Sequence, residues 1–302
     1  MEETFEKIYN KVYDISNEKI KEAKNKKNKF LGLAILVLIA INVIIIVCFK
    51  ATGLAFFSLW ISFAIVIFLI FKGNKFYKDL YKKEVIETLV KEYNAKLSFD
   101  SKYGINKIDY RDSRFDKNFN EYKSEDRIYG KLNDGSNIQI AEVHAEEVHT
   151  YNDGNNVKTD TYTTFHGIFG IIRLNESTII KLSVANDSHT RKFNKDRIEV
   201  DSAEFEEYYD LISKDKIEAL KIFTPDLIEV FNEIRRAYPK KSFELKIEEN
   251  IIYFRFNCGE IFEPPALKNG LDKKLLERYF KFIYYPIELS QKLVTKINDV
   301  IS

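Results

Sequence analysis

Cysteine, histidine and proline are scarce in this chain of 302 residues, which contains two, four and five of them. Cys48 lies inside an apolar run and Cys258 lies far from it, so the sequence builds neither a disulfide framework nor a Cys-X-X-Cys zinc site. With eleven glycines and no Ser/Gly-rich tract, little room is left for a long disordered linker. The sequence therefore predicts order nearly from end to end.

The chain also has no large excess of positive or negative charge. The 47 basic and 46 acidic side chains give a formal net charge of +1, so the composition does not indicate binding to nucleic acid. Neither glycine-rich phosphate-binding pattern, GxxxxGK(S/T) or GxGxxG, occurs. We therefore predict no nucleic-acid partner, no bound nucleotide and no cofactor.

Two long apolar runs are the strongest positive signal. Residues 30–49 (FLGLAILVLIAINVIIIVCF) and 54–71 (LAFFSLWISFAIVIFLIF) contain no charged side chain. At a rise of ~1.5 Å per residue, helices of about 20 and 18 residues span about 30 and 27 Å, close to the thickness of the hydrocarbon core of a bilayer. The link Lys50-Ala51-Thr52-Gly53 fits only a tight turn, with Gly53 available for a positive backbone angle. The runs predict a transmembrane hairpin.

Two other interpretations of the runs fit less well. A secretory signal peptide would need a charged leader of almost thirty residues, and no convincing small-residue cleavage site follows the first run. A buried helical hairpin of a soluble protein is the other interpretation, although buried helices are rarely so long and so uniformly apolar.

Lysine placement predicts the orientation of the hairpin. Lysines cluster before the first run and after the second, whereas the link carries only Lys50. By the positive-inside rule, the chain is predicted to be integral to the cytoplasmic (inner) membrane with both termini in the cytoplasm. The same lysines could contact anionic lipid headgroups. They are Lys19, Lys21, Lys24, Lys26, Lys27 and Lys29 before the hairpin, and Lys72, Lys75, Lys78, Lys82 and Lys83 after it.

Helical periodicity continues on both sides of the hairpin. After it, the apolar period persists to about residue 93. Before it, apolar residues recur at three- and four-residue steps and predict an amphipathic helix that packs either on the cytosolic domain or on the membrane. We divide the chain into a cytosolic amphipathic helix (residues 1–29), a transmembrane hairpin (30–72) and a cytosolic domain (73–302). The apolar residues of the first helix are Phe5, Ile8, Tyr9, Val12 and Tyr13.

The cytosolic domain contains segments with the alternation of β-strands. Residues 137–148 predict a strand, Asp153-Gly154 predicts a hairpin turn, and residues 157–175 predict the returning strand. Residues 177–185 supply a third strand, and the three strands are expected to form an antiparallel meander.

Helices and a second hairpin follow. Residues 202–211 and 225–238 are predicted helices, the second with Thr224 as N-cap and Pro225 at the first helical position. Strands and helices do not alternate as in a doubly wound nucleotide-binding fold, so the predicted fold class is α+β, an antiparallel sheet with flanking helices behind the transmembrane hairpin. The remaining predicted elements are a β-hairpin of residues 243–247 and 251–256, and a helix over residues 271–301 that can kink at Pro286.

Three of the four histidines, His144, His149 and His166, fall in one predicted hairpin. With Asp153-Gly154 as the turn, His144 is predicted to lie opposite Thr163, three ladder steps or ~10 Å from His166. Ligands of one zinc ion must each approach it to ~2.1 Å. The histidines are therefore interpreted as structural or surface residues, and no metal site is predicted.

Other reactive side chains also lack the neighbouring groups that catalysis would need. Glu146 and Glu147 lie at a strand end, where charged residues ordinarily meet solvent, and Cys258 has no neighbouring histidine in the sequence to act as its base. We therefore predict no catalytic, cofactor-binding or metal-binding residue.

The segment TYTTFHGIFGIIRLN, residues 161–175, is apolar on both strand faces around two glycines. This pattern predicts a central strand covered on two sides, with Gly167 and Gly170 admitting a large neighbour or a bulge. His166 is interpreted as a hydrogen-bonded histidine in or near the core.

Four sequence blocks resemble those of a known family, over nearly the full length of the chain. They are YKSEDRIYGKL (residues 122–132), AEVHAEE (141–147), TTFHGIFGIIRLN (163–175) and AEFEEYYDLISKDKIEALKIFTPDLIEVF (203–231). These blocks resemble a bacterial membrane-protein family known as domain of unknown function 3137. The resemblance implies a charged N-terminal helix, a two-span hairpin and a cytosolic domain. It implies no catalytic residue, substrate or cofactor.

Two classes of function stay open. We favour a noncatalytic membrane-anchored module that binds a protein or a lipid headgroup on the cytoplasmic side, with the bilayer and an unidentified protein as partners. The alternative is a membrane-associated hydrolase with an unrecognised active site.

Overall fold

The computed structural model of the chain describes residues 1–49, 52–152, 154, 156–176, 178, 180–186, 194–265 and 270–301. The chain forms two compact units. The helical unit comprises Glu2–Glu92 and Glu263–Leu276, and the sheet unit comprises Tyr93–Phe262 and Glu277–Ser302. Long helices and one antiparallel sheet confirm the predicted α+β class.

The charged N-terminal segment and the first apolar run form one helix, α1 (Glu2–Phe49). Its 48 residues include a single glycine, Gly32, and no proline, so nothing in the sequence breaks the hydrogen-bond ladder between the two parts. At ~1.5 Å per residue, the helix is about 72 Å long.

The second apolar run also continues as helix, as predicted. Helix α2 (Thr52–Tyr81) passes through a π-helical segment (Lys82–Ile86) into α3 (Glu87–Tyr93). The predicted turn was too long, because Gly53 already lies within α2. Lys50 and Ala51 lie outside the described residues.

Helix α1 lies antiparallel along α2 and the π-helical segment. The register is marked by Lys19 with Glu84, at 2.8 Å, and by Lys27 Nζ, which donates to Asn74 Oδ1 at 3.1 Å. The hydroxyl of Ser16 donates to the Glu84 carbonyl oxygen at 2.5 Å. Of the predicted amphipathic face, Tyr13 is exposed and Tyr9 half-buried, whereas three residues are buried: Phe5, Ile8 and Val12. Most of this face is therefore covered in the folded chain.

The sheet unit is built on nine antiparallel strands within the described residues, in the order β1-β2-β3-β4-β9-β8-β5-β7-β6. The strands are β1 (Leu97–Asp100), β2 (Glu121–Lys131), β3 (Asn137–Asn152), β4 (Val157–Arg173), β5 (Lys181–Asn186), β6 (Arg197–Ile198), β7 (Tyr209–Ser213), β8 (Ser242–Glu248) and β9 (Ile251–Asn257). The helices are α4 (Lys107–Asp112), α5 (Ala203–Tyr208), α6 (Lys216–Ile222), α7 (Pro225–Ala237) and α8 (Lys273–Ile301), the last of which contains Pro286.

Most predicted elements of the sheet unit are confirmed, including the strands at β3 and β4, the β8–β9 hairpin and helices α7 and α8. Thr224 has the extended backbone of an N-cap, but its hydroxyl donates to the Asp226 carboxylate at 2.5 Å and does not cap a backbone N–H. Asp153 of the predicted turn, and Ser177 and Ile179 of the third strand, lie outside the described residues.

The predicted three-strand meander is wrong, because β4 pairs with β9, while β5 pairs with β7 and β8. The two glycines of β4 explain its close contact with β9. A Cβ at Gly167 would lie 2.1 Å from the Phe256 carbonyl oxygen, and one at Gly170 would lie 2.0 Å from the Phe254 ring. Gly170 thus admits a large neighbour in a central strand, as predicted, whereas Gly167 admits the β9 backbone.

The predicted helix over residues 202–211 is also wrong in its second half. Helix α5 ends at Tyr208, and the chain continues as β7. Tyr209 and Leu211 are buried on this strand, and Asp210 is buried 2.8 Å from Arg197 Nε on β6. Pairing with β5 and β6 and burial of both strand faces outweigh the local helical period.

Aromatic side chains fill the core on one face of the central strand. Tyr110 of α4 packs against Phe169, with ring centroids 4.9 Å apart, and against Phe119 at 5.2 Å. Phe165 and Val143 belong to the same buried cluster. The sequence-based analysis assigned no element to α4, so this part of the core was not predicted.

Replacing Gly170 by alanine is expected to destabilise the folded chain by about 1–3 kcal/mol, because the new methyl group overlaps the buried Phe254 ring. Thermal and denaturant unfolding of the full-length protein in detergent measures the effect. In a double-mutant cycle with Phe254→Leu, which makes room for the methyl group, the double variant should lose less stability than the sum of the single variants. Additive losses would contradict the overlap.

Candidate functional site

Two helices are long and apolar enough to cross a membrane: Glu2–Val47 and Phe57–Tyr93. Only 6% and 0% of their most apolar windows are buried. Their side chains therefore face outward, unlike those of helices in a buried core, and among the most exposed are Leu36 at 65%, Trp60 at 62% and Phe71 at 70%.

A small polar cluster lies between the two apolar helices. Asn42 of α1 is 6% exposed, and its amide donates to the Leu38 carbonyl at 2.8 Å and to the Ser62 hydroxyl at 2.9 Å. The Ser58 hydroxyl donates to Asn42 Oδ1 at 2.6 Å. The cluster turns the polar atoms of Asn42 toward α2 and away from the outer surface of the hairpin.

The antiparallel register gathers lysines at one end of the apolar helices. We call this set the lysine band; its segments 24–29 and 72–78 contain no acidic residue. Lys27 lies over the Tyr77 ring at 5.1 Å, and a Cβ at Gly73 would lie 3.3 Å from the Lys27 side chain, so the helices are close together here. The band consists of Lys24, Lys26, Lys27, Lys29, Lys72, Lys75 and Lys78.

On the sheet unit, His144 of β3 and His166 of β4 are direct cross-strand partners. Their rings are stacked, with centroids 4.3 Å apart and planes inclined by 22°. The predicted separation of three ladder steps is therefore wrong. Asn152 pairs with Val157, which leaves a four-residue loop where two were assumed, and a β-bulge between the pairs of Ala145 and Glu146 shifts the register by one further residue.

Each ring of the histidine pair has a carboxylate nearby. His144 Nε2 lies 3.4 Å from Glu146 Oε1, and His166 Nε2 lies 3.9 Å from Glu142 Oε1. The Glu142 carboxylate is buried, and its other oxygen accepts a hydrogen bond from the Ile261 N–H at 3.1 Å. The sequence-based analysis missed Glu142 because a single glutamate within a strand gives no local signal.

His166 is near the core without being enclosed by it, since 27% of its side chain is exposed. Burial lowers the pKa of the His166 imidazole below its usual value, and the adjacent His144 ring lowers it further. Glu260 and Glu146 oppose this effect, while Lys123 adds to it. Charged groups of both signs therefore act on His166.

The other residues considered in the sequence take separate positions. His149 is 57% exposed and 3.2 Å from the Glu147 carboxylate, toward the turn end of the hairpin. Cys258 is a buried free cysteine, and burial raises the pKa of its thiol to about 12. A thiol with so high a pKa carries almost no thiolate at neutral pH, so Cys258 is a poor nucleophile. Among the described residues, no hydroxyl or thiol group donates to any of the three histidines of the β3–β4 hairpin.

The outer part of the β3–β4 hairpin extends beyond its neighbouring strands. Within the described residues, 147–152 and 157–162 pair only with each other, and we call this segment the ribbon. Asn120 closes one edge, because its side-chain amide donates to the Val148 carbonyl and accepts from the Val148 N–H. The ribbon exposes Tyr151, Val157 and Tyr162, at 47%, 72% and 57%.

A polar groove of about 700 Å³ lies elsewhere on the sheet unit. Its floor includes Asp116, which is paired with Arg255 at 2.7 Å and accepts a hydrogen bond from Tyr110. Its lining carries four basic and four acidic side chains, so its formal net charge is zero. The charged lining comprises Arg111, Arg114, Lys117 and Lys181 with Asp112, Asp116, Glu248 and Glu249.

Comparison with known proteins places part of the chain in context. The model of a protein family of unknown function, DUF3137, matches residues 163–295, which run from β4 into α8. The resemblance stated from the sequence blocks is confirmed over these residues. No curated protein and no solved structure matches the chain.

Proposed function

We propose that the chain is a membrane-anchored, noncatalytic interaction module. Its apolar hairpin crosses the cytoplasmic membrane twice, both termini stay in the cytoplasm, and the sheet unit binds a protein partner there. The single observation that carries the proposal is the exposure of the apolar helices, whose windows are almost wholly unburied.

The energetic argument for an anchor is simple. Burying one large apolar side chain is worth about 1.5–3 kcal/mol, and soluble monomers rarely leave apolar patches larger than a few hundred Å² in water. The hairpin exposes a continuous apolar surface that includes Phe30, Leu33, Ile44 and Phe63. A bilayer covers such a surface on all sides of both helices.

The polar atoms within the apolar runs agree with a lipid environment. Hydrocarbon offers no hydrogen-bond partner, so polar side chains in membrane helices turn toward neighbouring helices. Asn42 does so by bonding Ser58 and Ser62 across the hairpin. This arrangement leaves apolar side chains on the outside.

The lysine band supports the orientation. Because α1 and α2 are antiparallel, lysines from segments far apart in the sequence meet at the same end of the apolar helices. An excess of lysine marks the cytoplasmic end of a membrane hairpin, and a cytoplasmic leaflet containing anionic lipids adds about 1 kcal/mol for each lysine at its surface. We propose that the exposed lysines of the band, Lys26, Lys29, Lys72 and Lys75, contact these headgroups together with the half-exposed Lys27.

The ribbon is the part of the sheet unit proposed to contact the protein partner. Its β4 edge pairs only with β3 among the described residues from Val157 to Tyr162. Val157 and Tyr162 are exposed on β4, and Tyr151 is exposed on β3. Exposed strand edges pair with extended segments of other proteins, and tyrosine is enriched at the centres of interfaces.

The orientation can be tested with reporter fusions. Alkaline phosphatase fused after residue 72 or residue 302 should be inactive, because the positive-inside rule keeps both positions in the cytoplasm, whereas phosphatase inserted between residues 51 and 52 should be active. Green fluorescent protein at the same sites should give the reverse pattern. Phosphatase activity of the fusion after residue 72 would overturn the proposed topology.

The lipid contact can be tested on purified full-length protein by native mass spectrometry, as the retention of phosphatidylglycerol relative to phosphatidylcholine. Changing five lysines of the band to glutamine should reduce this preference at least about tenfold, because each lysine adds about 1 kcal/mol at an anionic surface. The control changes five exposed lysines of the sheet unit and should keep the preference. An equal loss in both variants would refute a specific role of the band. The band variant carries K26Q, K27Q, K29Q, K72Q and K75Q; the control carries K96Q, K102Q, K131Q, K214Q and K240Q.

The interaction role can be tested by photo-crosslinking in cells. A benzophenone amino acid at Tyr151 or Tyr162 should yield a discrete adduct with another protein, because both side chains project from the ribbon. The matched control is Tyr103, a 66% exposed tyrosine of the sheet unit outside the ribbon, and it should yield no such adduct. Identical adducts at all three positions, or none at the ribbon, would refute the ribbon as the binding surface.

A further inference from the structure

We propose that the ribbon pairs with the ribbon of a second copy of this chain, by antiparallel addition of one β4 edge to the other. This pairing rests on the proposed function and names the protein partner of the ribbon as another molecule of the same chain. Two observations carry it. Alternate backbone groups of β4 face outward, and the charges of residues 157–162 (VKTDTY) match those of the same segment in reverse.

Hydrogen bonds on the far side of the ribbon show which backbone groups of β4 face outward. The Asn120 side chain binds both the N–H and the carbonyl oxygen of Val148, so these two groups point away from β4. In an antiparallel ladder the residue opposite also points away from its partner strand, and this residue is Thr161. Because the orientation alternates along a strand, the N–H and carbonyl groups of Val157 and Thr159 face the same open edge.

These orientations restrict the register of a symmetric pair. Backbone hydrogen bonds form only where outward-facing residues of the two copies meet, so the two-fold axis must pass at a residue and not between two residues. An axis at Thr159 places Thr159 opposite its own copy, and Val157 opposite Thr161. Each of the three resulting pairs exchanges two backbone hydrogen bonds, about six in all.

Charge selects this register among its neighbours. With the axis at Thr159, Lys158 of each copy lies opposite Asp160 of the other, in pairs whose Cα atoms are only ~4.5 Å apart. An axis at Lys158 would oppose two lysines, and one at Asp160 would oppose two aspartates, which is destabilising. Both side chains are exposed. Lys158 has a further interaction within its own chain, and its ammonium group has three N–H donors to share.

The ribbon also lacks the support that the inner part of the sheet has. A two-stranded hairpin is marginally stable on its own, whereas three or more strands support one another. Within the part of the chain that the structure describes, 147–152 and 157–162 pair only with each other. Joining two ribbons gives the strand order β3-β4-β4-β3, in which each β4 strand has a neighbour on both sides.

The assembly is expected to stop at two copies. A two-fold contact uses the same edge on both molecules, so it leaves no β4 edge for a third copy. On the opposite edge of the ribbon, the Asn120 side chain already binds the Val148 backbone. The contact therefore closes on itself and does not propagate into a fibre.

Exchange of the two charges tests the register. Energy transfer between separately labelled full-length chains in detergent gives the dissociation constant of the pair. K158D and D160K should each weaken self-association at least about fivefold, because two attractive cross-strand pairs become repulsive. Association should return in the double variant K158D/D160K, and also when the K158D and D160K chains are mixed, since opposite charges then face each other again. Unchanged association of the single variants, or no recovery, would overturn the proposal.

Proline tests the backbone contact. T159P removes an outward-facing N–H from the β4 edge and should weaken association at least about tenfold, whereas proline at an edge position leaves the bonds to the other strand of the hairpin in place. The matched control is T150P, which removes an outward-facing N–H from the β3 edge and should associate as the wild-type chain does. Thr150 and Thr159 are direct cross-strand partners, with hydroxyl oxygens 3.4 Å apart. Equal weakening in both variants would contradict pairing through β4.

The benzophenone adduct at Tyr162 in cells separates this pairing from the wider role of the ribbon. An adduct with the mass of two chains, lost in T159P and kept in T150P, is the expected result. An adduct that contains a different protein would overturn the pairing of two copies while leaving the ribbon as a binding surface. Absence of any adduct at the ribbon would refute both.

Discussion

The register of the β3–β4 ladder is the constraint on which most of the sheet unit depends. Sixteen residue pairs join the two strands, and a single bulge near Glu146 separates an inner part from the ribbon. The inner part places Gly167 and Gly170 against β9. Strand β9 pairs with β8, and the remaining strands follow β8 in the sheet. A slip of one residue would turn every side chain of β4 to the opposite face and would separate the two histidines.

The elements of this fold were more predictable than their pairing. Alternation predicted β3, β4, β8 and β9, and an apolar period of three to four predicted the long helices. The strand that pairs with β4 on its second side was not predictable, because strands with apolar faces can pair with one another in several orders. The length of the loop after β3 was likewise hidden, since Asn152-Asp153-Gly154-Asn155-Asn156 contains several residues that suit a turn.

The candidate sites were likewise only partly predictable from the sequence. The apolar runs and their lysines were evident in the sequence because composition alone defines them. The histidine pair was hidden because it depends on the bulge and on a loop of four residues, neither of which leaves a local signature. Strand β7 was hidden because Asp210 looks like a helix-surface residue until Arg197 is seen beside it.

Two half-buried arginines of the sheet unit are paired with carboxylates on neighbouring elements. Arg255 of β9 reaches Glu244 on β8 at 2.5 Å and Asp116 at 2.7 Å, and Arg197 of β6 reaches Asp210 and Glu206 at 2.8 and 2.5 Å. Ion pairs of this kind add little net stability, because desolvation offsets the attraction. A strand order that separated β8 from β9 or β6 from β7 would remove the Glu244 and Asp210 partners of these arginines.

Helix α1 is unbroken, so a tilt of its apolar part also moves its charged N-terminal part. About 28 residues separate Phe30, where the apolar run begins, from Glu2, a distance of about 42 Å along the helix. A tilt of the apolar part by about 10° would therefore displace the N-terminal end by about 7 Å sideways. In the membrane-anchored arrangement that we propose, tilting of this kind in response to bilayer thickness would move the charged end of α1 outside the bilayer.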